Sequence, residues 1–304
     1  MPEKQWMLEE IRRMKNDMNA LILAHYYQTG DVQDLADVLG DSLDLSRKAA
    51  DSSADVIVFC GVQFMGETAK ILSPEKTILM PRPDAGCLMA DMAGVEEAER
   101  LRREYPGAAL VAYVNTTAEV KARVDYCCTS ANAVNLCRQI PEQEIAFLPD
   151  RNLGQFVASQ VPEKTFHMAD GFCPTHHFVE PQEVHEARAR WPEAEILAHP
   201  ECTPEVLALV DFVGSTSRIL ERARVSPARQ LVICTERGIL HPLKKASPEK
   251  EFLVLSPRLI CPNMKKNGVE DVYLALKNRQ YAVEVPEDIR TAAYRSLERM
   301  LEDA

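Results

Sequence analysis

Charged amphipathic stretches alternate with short apolar runs along the whole chain. Residues 7–19, 95–105 and 181–191 carry apolar positions at helical spacing among acidic and basic residues. Each leads into an apolar run that ends at Ala24-His25, Ala112-Tyr113 or Ala198-His199. Further helices follow, with second short apolar segments at 124–128 and 210–214. Helices opening at Ser42, Ser130 and Thr216 come next, then apolar runs at 56–59, 145–148 and 231–234. Continuous apolar runs separated by helices predict parallel strands buried on both faces. The fold class is therefore α/β.

The pattern has a period. The alanines at 24, 112 and 198 are 88 and 86 residues apart, and so are the Pro-Glu-Lys triplets opening at Pro74, Pro162 and Pro248. Tyr105-Pro106 and Trp191-Pro192 add a pair 86 residues apart. Several markers at one interval indicate a triplicated unit. We expect three homologous three-layer α/β/α domains with parallel sheets, arranged around a pseudo-threefold axis. The divisions are 1–86, completed by 268–304, then 87–172 and 173–267. The tail reads as helix at 269–277, strand-like at 280–285 and helix again at 287–301, returning to the first unit. In open α/β sheets ligands bind beyond the carboxyl ends of the strands, so the three ends should face one central cavity.

Composition narrows the classes. A formal net charge of −11 over 304 residues argues against a nucleic-acid binder. No apolar stretch approaches the ~20 residues of a membrane span, and the amino-terminal stretch is amphipathic, so a cytoplasmic location is expected. Nine cysteines in such a chain point to metal ligation or catalysis before disulfides. Cys87, Cys173 and Cys261 stand 86 and 88 residues apart, at the loops that follow the last strand of each unit. They read as three thiolate ligands of one iron–sulfur centre with an iron left open as a Lewis acid. Zinc, with His176 as a fourth ligand beside Cys173, is the other candidate. Cys60, Cys127, Cys128, Cys137, Cys202 and Cys234 read as core.

Two further sets keep the register. One and three places after each alanine stand His25 and Tyr27, Tyr113 and Asn115, His199 and Glu201. Residues two apart on a strand share a face, and polar groups in six equivalent slots mark a pocket rather than packing. Eighteen places after each alanine come Ser42, Ser130 and Thr216, preceded by Asp41, Thr129 and Ser215. Hydroxyls at helix starts cap the helix or hold an anion. Lys244, Lys245, Lys265 and Lys266 read as solvated, though Lys265, just after Cys261-Pro262-Asn263-Met264, could reach the same cavity.

Gly171-Phe172-Cys173-Pro174-Thr175-His176, His199-Pro200-Glu201-Cys202 and Cys261-Pro262-Asn263-Met264-Lys265 resemble the hallmarks of the quinolinate synthases of NAD biosynthesis. Ala24-His25-Tyr26-Tyr27-Gln28, Ala112-Tyr113-Val114-Asn115 and Gly214-Ser215-Thr216-Ser217 fit as well. The resemblance implies a [4Fe–4S] cluster held by Cys87, Cys173 and Cys261. It implies condensation of iminoaspartate with dihydroxyacetone phosphate to quinolinate, with loss of phosphate and two waters. It implies Glu201 as main general acid/base, assisted by Tyr27 and His199, and His25, Ser42, Tyr113, Asn115, Ser130, Ser215 and Thr216 as substrate-binding residues. An L-aspartate oxidase or dehydrogenase would supply the iminoaspartate. Some members carry Cys-x-x-Cys at the last ligand; Cys261-Pro262-Asn263-Met264 lacks it, so that redox switch is expected to be absent. A non-enzymatic iron–sulfur or zinc-stapled module and a metal-free sugar-phosphate aldolase are the competing readings.

Overall fold

The structure, a computed structural model, describes residues 2–302. The first unit runs α1 (Pro2–Asp17), β1 (Ala20–His25), α2 (Gly30–Leu35), β2 (Val38–Gly40), α3 (Ser42–Asp51), β3 (Val56–Cys60), α4 (Gln63–Leu72) and β4 (Thr77–Leu79). The second runs α5 (Val95–Glu104), β5 (Ala109–Tyr113), α6 (Ala118–Lys121), β6 (Tyr126–Cys128), α7 (Ala133–Gln139), β7 (Glu144–Leu148), α8 (Arg151–Gln160) and β8 (Thr165–Met168). The third runs α9 (Pro174–His177), α10 (Pro181–Arg190), β9 (Glu195–Ala198), α11 (Pro204–Leu207), β10 (Phe212–Val213), α12 (Thr216–Val225), β11 (Gln230–Cys234), α13 (Leu240–Ala246) and β12 (Glu251–Val254). The tail adds α14 (Val269–Asn278) and α15 (Glu287–Glu302).

Three separate four-stranded parallel sheets result, ordered β2-β1-β3-β4, β6-β5-β7-β8 and β10-β9-β11-β12. Their registers match: Ala24 pairs with Cys60, Ala112 with Leu148 and Ala198 with Cys234. The three alanines therefore sit at one depth in three sheets. No helix among the described residues is long and apolar enough to cross a membrane.

The repeated markers have structural work. Lys76 donates to Ala49 O at 2.6 Å, Lys164 to Glu142 O at 3.1 Å and Lys250 to Ala223 O at 2.6 Å. The Pro-Glu-Lys lysine thus serves carbonyls at or just past the end of α3, α7 or α12, where a cation is favoured. A marker absent from the sequence reading does the same for the first strand. Asp37, Asp125 and Asp211 each accept, at 2.8 Å, from the backbone of Ile22, Leu110 and Ile196.

Three expectations need revision. The first unit also has a second strand, β2, which its polar neighbours concealed. Ser130 does not open a helix: α7 begins at Ala133. The Asn132 side chain accepts from Thr129 N at 2.7 Å and donates to Met300 O at 2.9 Å, so a turn tied to α15 replaces the first helical residues. The 280–285 segment makes one antiparallel bridge to Leu79, at Ala282, rather than a strand. α14 lies on α1 and β3, whereas α15 runs between α4 and the α6–β6 face of the second unit.

Candidate active site

Beyond the strand ends lies a cavity of about 260 Å³ lined from all three units. That volume is of the order of a small-molecule site. His25, Tyr27, Ser42, Cys87, Tyr113, Asn115, Ser130, Cys173, His199, Glu201, Thr216 and Cys261 all line it. Ser215 does not. It is the N-cap of α12, and its hydroxyl accepts from Arg218 N. Ser42 and Thr216 are the first residues of α3 and α12, where Asp41 caps the amides of Leu43 and Asp44 and Ser215 caps that of Arg218, so their hydroxyls border the cavity at two capped helix starts.

The polar side chains form one chain of contacts. The Thr216 hydroxyl donates to Tyr27 Oη at 3.1 Å, and Tyr27 Oη lies 2.6 Å from Thr235 Oγ1. Thr235 Oγ1 is 2.9 Å from His176 Nε2. His176 Nδ1 is 2.7 Å from Glu201 Oε2, and Tyr113 donates to Glu201 Oε1 at 2.7 Å. His199 Nδ1 lies 3.6 Å from Glu201 Oε2 and its Nε2 is 3.2 Å from Ser130 Oγ. The repeat persists at this level: His25 Nδ1 accepts from Tyr27 N and His199 Nδ1 from Glu201 N. Asn115 Oδ1 is buried without a partner, which leaves an acceptor free for a ligand.

Burial tunes these groups. It raises the phenols of Tyr27 and Tyr113 well above their usual range, so both stay protonated as donors. Burial works to raise the Glu201 carboxyl, but His199, His176 and the Tyr113 hydroxyl outweigh it and hold the carboxyl well below its usual range. Burial lowers His25 to about 3 and His199 to about 4, so both are neutral near pH 7. The sign follows: unfolded imidazoles take up protons near 6.5 that the folded ones refuse. Stability is therefore greatest above about 6.5 and declines as pH falls towards the folded values. Each such histidine costs about 1.4 kcal/mol per pH unit inside that window. Denaturant midpoints measured from pH 7 to pH 5 should fall, and less steeply in His25→Asn. An unchanged slope in that variant would refute the burial of a neutral His25.

Among the described residues that line the cavity, Arg258 is the one lysine or arginine. Glu183 holds its guanidinium at 2.9 Å. Sequence reasoning missed Arg258, Thr235 and Glu236. Thr235 and Glu236 follow β11, the third strand of its unit, whereas the register of polar residues runs after the first strands.

The three register cysteines are partly exposed, and the other six are buried. Cys202 and Cys234 lie with sulfurs 3.6 Å apart, away from the cavity wall. Burial pushes the Cys87 thiol up to about 12, although the amides of Ala90 and Met89 point at its sulfur. Cys261 is also raised by burial, with the Met264 and Asn263 amides in the same relation. Amides directed at sulfur are the contacts that tune an iron–sulfur cluster, and three thiols with no fourth cysteine among the described lining residues fit a cluster with one open iron. A second donor group overlaps this one. Ligand atoms of Cys173, His176 and Glu201 lie within 4.8 Å of one another, compact enough for a single ion.

Two glycines shape the cysteine loops. A Cβ on Gly171 would come within 2.6 Å of Pro149 O, a backbone atom that cannot yield, whereas one on Gly86 would meet nothing. Gly171→Ala is expected to cost about 1–3 kcal/mol by thermal denaturation, and Gly86→Ala about 0.5 kcal/mol or less.

A family model described as quinolinate synthetase A protein matches residues 9–302. The chain is 52% identical over 293 residues to a quinolinate synthase of Geobacter metallireducens, covering 96% of each chain. It is 50% identical over 294 residues to one from Thermodesulfovibrio yellowstonii, covering 97% of each. It is 48% identical over 299 residues to one from Aquifex aeolicus, covering 97% of this chain and 93% of the relative.

Proposed function

Since the chain belongs to the quinolinate synthetase A family of enzymes, we propose that it condenses iminoaspartate with dihydroxyacetone phosphate in the cavity between its three sheets. The products are quinolinate, phosphate and two waters, in the service of NAD biosynthesis. The same reading takes the units as copies about a pseudo-threefold axis, divided at 1–86 with 268–304, 87–172 and 173–267. One observation carries it: three register thiols and a connected set of proton-transfer groups line a single cavity.

Cys87, Cys173 and Cys261 would hold a [4Fe–4S] cluster. When bound, it supplies a Lewis-acidic iron for substrate oxygen or nitrogen. The chain's own residues supply the rest. Glu201, ionised and oriented by Tyr113, accepts protons at Oε2 as carbon acids are deprotonated, and returns them to departing hydroxide. His176 Nδ1 lies against that oxygen and steadies its charge, while His199, its Nδ1 accepting from the Glu201 amide, directs Nε2 to Ser130. Tyr27, kept as a phenol and braced by Thr216 and Thr235, donates to the triose oxygen. Ser42 and Thr216 at two helix starts, with Ser130, Asn115, His25 and Arg258, hold phosphate and carboxylates. Ser215 acts through the helix it caps.

The compact Cys173–His176–Glu201 group favours one alternative, a mononuclear zinc site. Anaerobic purification followed by metal and sulfide analysis separates the two. About four iron and four sulfide per chain, with quinolinate and phosphate formed from the two substrates, supports the proposal. Stoichiometric zinc without sulfide overturns it.

A further inference from the structure

Each unit ties the residue just after its third strand to the loop that brings in its cysteine. Gln63 N donates to Ala85 O at 2.8 Å, Arg151 N to Gly171 O at 2.8 Å and Arg237 N to Leu259 O at 2.9 Å. Each acceptor lies two residues before the register cysteine. The side chain immediately before each donor is Val62, Asp150 and Glu236, so one slot holds an apolar group once and a carboxylate twice.

The two carboxylates are used differently. Asp150 spends one oxygen on the amides of Asn152 and Leu153, capping α8, and the Cys173 amide is directed at the same carboxylate, but no described side chain from another unit reaches it. Glu236 is fully buried and fully engaged. Its Oε1 accepts from the Cys261 amide at 3.2 Å, and its Oε2 accepts from Gly238 N at 2.7 Å and Lys265 Nζ at 2.9 Å. Lys265 Nζ also donates to the carbonyl of Tyr27, in the first unit. Gly238 is pressed against the same turn, where a Cβ would lie 2.8 Å from Tyr26 O.

A buried ion pair is weak as a source of stability, because desolvation offsets the attraction. Capping explains the Gly238 contact but not the reach of Lys265 across units. We propose that Glu236 and Lys265 are positioning residues that lock the Cys261 loop to the Tyr27 turn. They set the metal-binding edge of the third unit and the phenol of the first in one register. This rests on the function proposed above. Groups that orient metal ligands from behind cost 10–100-fold in metal affinity or activity when removed, on the order of what this pair would contribute.

The test uses anaerobically prepared wild type, Glu236→Gln, Lys265→Met and Lys265→Arg. Glu236→Gln keeps the volume and an acceptor for the Cys261 amide, which protects against simple misfolding. Three quantities are read: iron loss to a chelator, the electron paramagnetic resonance spectrum of the reduced protein, and kcat separately from KM. Lys265→Met and Glu236→Gln should lower kcat by about 10–100-fold with little change in KM. Both should also lose iron faster and show a displaced spectrum, and Lys265→Arg should restore most of each loss. Wild-type iron retention and spectrum in both variants, with kcat within about twofold, would overturn the inference. Wild type that binds no iron would instead overturn the function on which it rests.

Discussion

Glu201→Gln is expected to lower kcat for quinolinate formation by about 10²–10⁴-fold, the range for loss of a general acid/base, while iron content stays at the wild-type level. The amide keeps the size of the side chain and an acceptor for the Tyr113 hydroxyl, so the 2.7 Å contact can survive. It removes the basic oxygen that faces His176 and His199. Because those imidazoles hold the wild-type carboxyl below its usual range, the base is ionised across neutral pH. The wild-type rate should accordingly decline only in acid, as His199 and then Glu201 gain protons. The glutamine variant should keep the His199 limb of that decline and lack the Glu201 limb. Turnover within tenfold of wild type would remove Glu201 from its role and shift the base to His199 or His176.

The place of Glu201 on the cavity was legible because the repeat supplies its own comparison, whereas its role as acid/base is what the family resemblance implies. His25 and Tyr27, Tyr113 and Asn115, His199 and Glu201 fill the same two slots after alanines paired in one register. The strands end at His25, Tyr113 and Ala198, so Tyr27, Asn115, His199 and Glu201 lie in the turns that follow, and those turns put all six on the cavity. What the sequence hid were features set by tertiary context. A turn replaces the helix start at Ser130 because Asn132 is drawn to the main chain of α15, 168 residues away. Ser215 and Thr216 are adjacent and chemically alike, and only the N-cap geometry decides which one faces the cavity. Glu236 and Thr235 follow a third strand rather than a first, so the register that marked the other polar groups did not reach them. The lysine of Pro-Glu-Lys shows the converse. In the sequence it marks only the repeat, and its bonds to helix-end carbonyls explain why a repeat would carry it.

Cys173→Ser should leave iron at background and quinolinate formation undetectable, because a serine hydroxyl does not ionise to replace a thiolate at neutral pH. This single variant does not discriminate, since Cys173 belongs both to the trio with Cys87 and Cys261 and to the compact group with His176 and Glu201. The partners do. A cluster held by three thiols loses its iron in Cys87→Ser and Cys261→Ser as completely as in Cys173→Ser, and keeps it in His176→Asn. A single ion held by Cys173, His176 and Glu201 behaves in reverse, surviving Cys87→Ser and leaving with His176→Asn. Cys202→Ser is the control. Its sulfur is fully buried and lies 3.6 Å from that of Cys234, away from the cavity wall, so metal content should be unchanged. The four cysteine variants and His176→Asn, assayed anaerobically for iron, zinc and sulfide, therefore assign the metal to one of two overlapping donor sets. The amides of Met89, Ala90, Asn263 and Met264 favour the first, because they are directed at the two sulfurs that the single-ion site would leave unused.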